Sequence, residues 1–95
     1  MPNFKVRWTN FAQSQLIQLW LNASDRSAVT AAANLIDREL ASSPMSKGRP
    51  LLPGFREYEA PPLSVVFGVD PATGQVVVIA VKRIDPSRNG ALVTP

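Results

Sequence analysis

The sequence predicts an α+β domain in which a helical hairpin packs on one face of a four-stranded, mainly antiparallel sheet, in the order β-α-α-β-β-β. Three observations lead to this. Apolar residues recur with period 2 over residues 4–8, with period 3.6 over 10–42, and with period 2 again over 55–82, the signatures of strand, helix and strand. No internal repeat or linker divides the chain. The composition, 45% hydrophobic and 18% charged over 95 residues, is that of one globular core.

Residues 4–8, "FKVRW", alternate Phe4, Val6 and Trp8 with Lys5 and Arg7 and form a half-buried strand. Over residues 10–22, Ala12, Leu16, Leu19 and Trp20 make one stripe of an amphipathic helix. Thr9 or Asn10 caps it, and Asn10 with Gln13 has capping-box spacing. A second helix over 25–42 is capped by Ser24 or Asp25 and buries Val29, Ala32, Ala33, Ile36 and Leu40. Ser43 before Pro44 ends it. Residues 45–54, with two prolines and two glycines, read as a surface loop.

Three strands follow, at 55–59, 63–69 and 76–82. In the first, Arg56 and Tyr58 share one face while Phe55, Glu57 and Glu59 share the other. "DPATG" supplies a turn before "QVVVIAV", which is apolar on both faces as a covered or central strand is. A helical hairpin returns the chain to the end it left, so the first two strands are expected to run in opposite directions. The first strand then lies antiparallel beside either end of the meander. Residues 1–83 form the domain, and 84–95 read as a tail.

Ten Lys and Arg against seven Asp and Glu give a net charge of +3. The excess is uneven: no acid lies between Glu39 and Glu57, where Lys47, Arg49 and Arg56 fall, and Lys82 with Arg83 close the last strand. Such groups mark a phosphate-contacting footprint or a solvated basic surface. With no Cys and no His, and with its carboxylates scattered, the chain offers no metal cluster, no disulfide and no nucleophilic triad. No cofactor is expected. No run reaches the roughly 18–20 apolar residues of a membrane span, and the first ten residues lack the apolar core of a secretory signal. A cytoplasmic location is the expectation.

The stretches "VRWTNFAQSQLIQLW", "AANLIDRELASSP" and "PPLSVVFGVDPATGQVVVIAVKR" together resemble the RelE/ParE toxin superfamily of bacterial type II toxin–antitoxin systems. The resemblance covers residues 4–83. It implies a small basic toxin held inactive by an acidic antitoxin, acting either on messenger RNA at the ribosome, as RelE-like members do, or on DNA gyrase, as ParE-like members do. RelE-like cleavage uses Lys and Arg on adjacent strands and a Tyr near the C-terminus. By that resemblance Arg56, Tyr58 and Arg83 are the candidate catalytic residues, and Lys47, Arg49 and Lys82 are candidates for RNA or target binding. Two positions are not matched: Ser64 stands where the third strand opens with Arg, and no aromatic residue follows Arg83. The unmatched positions favour a toxin that binds a gyrase-type or other protein target. Ribosome-dependent or weak RNA cleavage is the alternative, and a non-toxic partner-binding module is the third.

Overall fold

The computed structural model describes residues 3–84. Strand β1 (Lys5–Trp8) leads into helix α1 (Asn10–Asn22), and a short break gives α2 (Arg26–Ser42). A single 3₁₀ turn (Pro44–Ser46) then precedes strands β2 (Arg49–Leu52), β3 (Phe55–Ala60), β4 (Leu63–Asp70) and β5 (Gln75–Arg83). Thr9 is the residue that caps α1: its Oγ1 accepts from the Ala12 amide at 3.1 Å. The Asp25 carboxylate does the same for the Ala28 amide at 3.0 Å. Each satisfies an amide that the first helical turn leaves without a partner.

The sheet has five strands in the order β1-β5-β4-β3-β2, one more than the sequence predicts. The additional strand is β2, inside the stretch read as a loop. Its prolines suggested irregular chain, yet β2 is an edge strand bonded to β3 alone, and an edge tolerates a residue that cannot donate. Pro53 and Gly54, with φ 85 at the glycine, turn the chain back so that Leu52 pairs with Phe55.

The missed strand also inverts a direction. β1 lies parallel to β5 through the pairs Lys5 to Gln75 and Trp8 to Val78, not antiparallel as expected. The hairpin does return the chain, but to β2, which runs antiparallel to β3. Inserting one strand reverses all those that follow relative to β1.

The helices cover one face. Ala12 of α1 and Val29, Ala32, Ile36 and Leu40 of α2 meet Leu63, Val65, Phe67, Val76, Val78 and Val81 of β4 and β5 in one buried cluster. Each such Val, Leu, Ile or Phe contributes about 1.5–3 kcal/mol by leaving water. Trp8 anchors β1 to α2 by donating Nε1–H to Asp37 Oδ1 at 2.7 Å. Among the described residues no helix is long and apolar enough to cross a membrane. The expected tail lies, from residue 85 onward, outside the described residues.

Candidate functional site

Cross-strand partners share a face, which sorts the candidate residues. Arg56 pairs with Phe67, and Tyr58 with Val65, and both partners are fully buried. Arg56 and Tyr58 therefore belong to the helix-covered side. Tyr58 packs against the core. The Arg56 guanidinium donates to two backbone carbonyls, Lys47 O at 2.9 Å and Gly48 O at 3.1 Å, and so holds the segment that leads into β2.

Lys47 is turned toward α2, where its Nζ lies 2.7 Å from Glu39 Oε1. The pairing lowers the Glu39 pKa and raises that of Lys47, through the hydrogen bond first and the charge attraction second. Arg83 pairs with Leu63 on the helix-covered side and borders a hollow with Ser24, Asp25, Ala28 and the Pro61-Pro62 turn. Lys47 and Arg83 thus sit beside opposite ends of α2, with Glu39 and Ala28 roughly 16 Å apart at about 1.5 Å of rise per residue. The six candidates do not converge on one centre.

Two of them meet on the open face. Glu57 of β3 accepts from Arg49 of β2 (Nη2 to Oε1, 3.1 Å) and faces Lys82 of β5 (Nζ to Oε2, 3.8 Å). The Ser64 hydroxyl of β4 points at the same Oε2 at 3.5 Å. The Glu57 side chain is 10% exposed, while those of Arg49 and Lys82 are 74% and 68% exposed. Glu57, Ser64 and Lys82 border a cleft of about 370 Å³ that Val66, Ala80, Leu51 and Gln15 also line.

Beside it, Phe55, Gly68 and Val77 continue the open face, since Phe55 pairs with Gly68 and Gly68 with Val77. A side chain at position 68 would meet the Phe55 ring at 3.3 Å, so the glycine lets that ring lie close over the strand. The face thus carries an apolar strip beside a carboxylate that two neighbouring cations share.

Glu57 is the residue that the sequence reading did not single out. The signal was present in the period: Tyr58 and Ala60 are the apolar phase of β3, which turns Glu57 and Glu59 outward and carries Arg56 inward. Weighting Arg56 by its charge gave it the opposite importance.

The opposite surface has its own apolar hollow. A groove of about 380 Å³ runs between α1 and α2, lined by Leu16, Ile17, Trp20, Leu21, Val29 and Ala33. Ile17 and Leu21 are 56% and 48% exposed. The Arg26 guanidinium stacks 4.5 Å from the centre of the Trp20 ring and donates to the Trp20 and Leu21 carbonyls.

No protein-family model matches the sequence, and no curated protein does. Solved structures do match the fold. One from the toxin–antitoxin complex RelBE2 of Mycobacterium tuberculosis superposes with a TM-score of 0.74 at 21% identity, covering 87% of this chain and 93% of that one. One from the chromosomal ParDE system of P. aeruginosa gives 0.64 at 19% identity, over 90% of this chain and 100% of that one. The isolated RelE toxin of E. coli gives 0.60 at 14% identity, over 96% of each. Both branches of the superfamily share this arrangement of two helices on a mostly antiparallel sheet, and the chain has the RelE/ParE toxin fold.

Proposed function

We propose that the chain is the toxin of a type II toxin–antitoxin pair, that it acts by binding a cellular protein through the open face of its sheet, and that an acidic antitoxin holds it inactive. A target of the DNA gyrase type is the first candidate. The observation that carries this reading is the Glu57 cluster. Cleavage through a ribose 2′-hydroxyl needs a base, an acid and uncommitted cations around one phosphate. On the open face Arg49 and Lys82 share one carboxylate beside an apolar strip, Arg56 is bonded to backbone, and Tyr58 packs against the core. Apolar surface rimmed by Arg suits a protein contact.

For the antitoxin, the groove between α1 and α2 offers a seat for the apolar stripe of an amphipathic helix, and Arg26 beside it offers charge to an acidic partner. Two of the solved relatives are themselves toxin–antitoxin assemblies, which supports a partner of that kind. Induced alone in a bacterial host, the chain is expected to arrest growth; a short acidic reading frame is expected beside its gene, and its co-expression is expected to restore growth. The variant Leu21→Lys, which puts a charge in the groove, should arrest growth but escape rescue. Rescue of that variant as complete as for wild type would refute the groove as the antitoxin's seat. An absence of arrest by the wild type would favour the non-toxic reading.

A further inference from the structure

A buried carboxylate at the centre of a basic protein's open sheet face calls for its own explanation. Glu57 is 9% exposed. Its two oxygens are divided between cations arriving from either side, Oε1 to Arg49 of β2 and Oε2 to Lys82 of β5, with two strands between those elements. Two converging cations that share one two-oxygen acceptor describe the seat of a nucleic-acid phosphate. Here the acceptor belongs to the protein.

We propose that Glu57 is a specificity determinant: its carboxylate fills, from within, the anion position that Arg49 and Lys82 would offer to a phosphate, so that the open face admits a protein surface and turns RNA away. This rests on the protein-binding reading and adds to it the residue that sets the class of partner. An incoming phosphate must either displace Glu57, leaving a scarcely hydrated carboxylate without its counter-charges, which is strongly unfavourable, or bind beside a like charge. A protein surface meets neither conflict. It can lay apolar groups on Phe55, Val66, Val77 and Ala80, and it can accept from Arg49, whose guanidinium has five N–H donors and gives one bond to Glu57.

Glu59 supplies the control. It lies on the same face, opposite Ser64, is exposed, and joins no ion pair among the described residues. Glu57→Gln and Glu59→Gln change the net charge equally, but only the first releases two cations. Binding of a short fluorescein-labelled single-stranded RNA is followed by anisotropy across a salt series. Glu57→Gln is expected to bind about tenfold or more tightly than wild type at low salt, with a log–log salt slope steeper by about 1.4, at about 0.7 per phosphate neutralised. Glu59→Gln is expected to match wild type, and Arg49→Gln with Lys82→Gln in the Glu57→Gln background to abolish the gain.

Equal gains from Glu57→Gln and Glu59→Gln would overturn the proposal, because a diffuse field would then account for both. The wild-type background gives an independent arm that does not depend on the folding of Glu57→Gln. There, Lys82→Gln alone, which keeps Arg49 on Glu57, is expected to leave RNA binding nearly unchanged, and a tenfold loss would also overturn the proposal. Message cleavage by the wild type in cells would instead remove the protein-binding reading. Intact messages together with an inert Glu57→Gln would remove this inference alone.

Discussion

At the scale of single residues, Gly48 governs whether the Glu57 cluster can form. Its φ is 68, and a Cβ there would lie 2.0 Å from the Glu57 carbonyl oxygen. The backbone of the segment entering β2 thus runs directly against β3, where Arg56 clamps it through the Lys47 and Gly48 carbonyls. Gly74 has nearly the same φ, 69, but open space around it. Gly74→Ala should therefore cost only the left-handed backbone penalty, roughly 1–2 kcal/mol. Gly48→Ala should cost clearly more, because β2 must part from β3 and take Arg49 away from Glu57. Chemical denaturation of the two variants side by side checks this, and equal losses would mean that the close approach is unimportant. None of this was legible in the sequence, where Gly48 is one glycine among loop residues. The inward side of Arg56 was legible in the phase it shares with Tyr58 and Ala60, but its hold on the Lys47 and Gly48 carbonyls was not.

At the scale of elements, the short β1 leaves the outer side of β5 partly without a strand, while β4 pairs along its other side. β1 covers only Gln75–Val78, and α1 runs along the remainder, where Gln15 Oε1 accepts from the Val81 amide at 2.9 Å. A side chain here completes a ladder that the backbone does not, and it does so immediately before Lys82 and Arg83. Gln15→Ala should leave that partly buried amide without a partner, at a cost of about 1–3 kcal/mol. Hydrogen exchange at Val81 should accelerate well beyond that at Val76, which sits within the β1 pairing. Unchanged exchange at Val81 would show that another group satisfies it.

The helices, β3, β4 and β5 were legible in their periods because each buries one face along several residues. β2 was not. It is four residues long with all four exposed, so no apolar alternation marks it, and Pro50 argued against any strand. That single omission cost the direction of β1 as well, since strand parity accumulates along the chain.

At the scale of the whole molecule, the fold separates two surfaces with different chemistry. The helical side carries an apolar groove with Arg26 at its margin, and the open sheet face carries an apolar strip with two cations sharing one carboxylate. The proposed role needs two such surfaces, one for a target and one for a partner that restrains the chain, and a shared fold does not fix how its members act. The distinction between them lies in side chains: a face that cuts RNA must keep its cations and its base uncommitted, and here the central cations are paired. The most direct measurement is the mapping of messenger RNA 5′ ends across the transcriptome in cells arrested by induction of this chain without its partner. Growth is expected to stop with the 5′ ends unchanged from uninduced cells. New 5′ ends within translated messages, appearing as growth stops and lost in an Arg83→Ala variant that still folds, would contradict it.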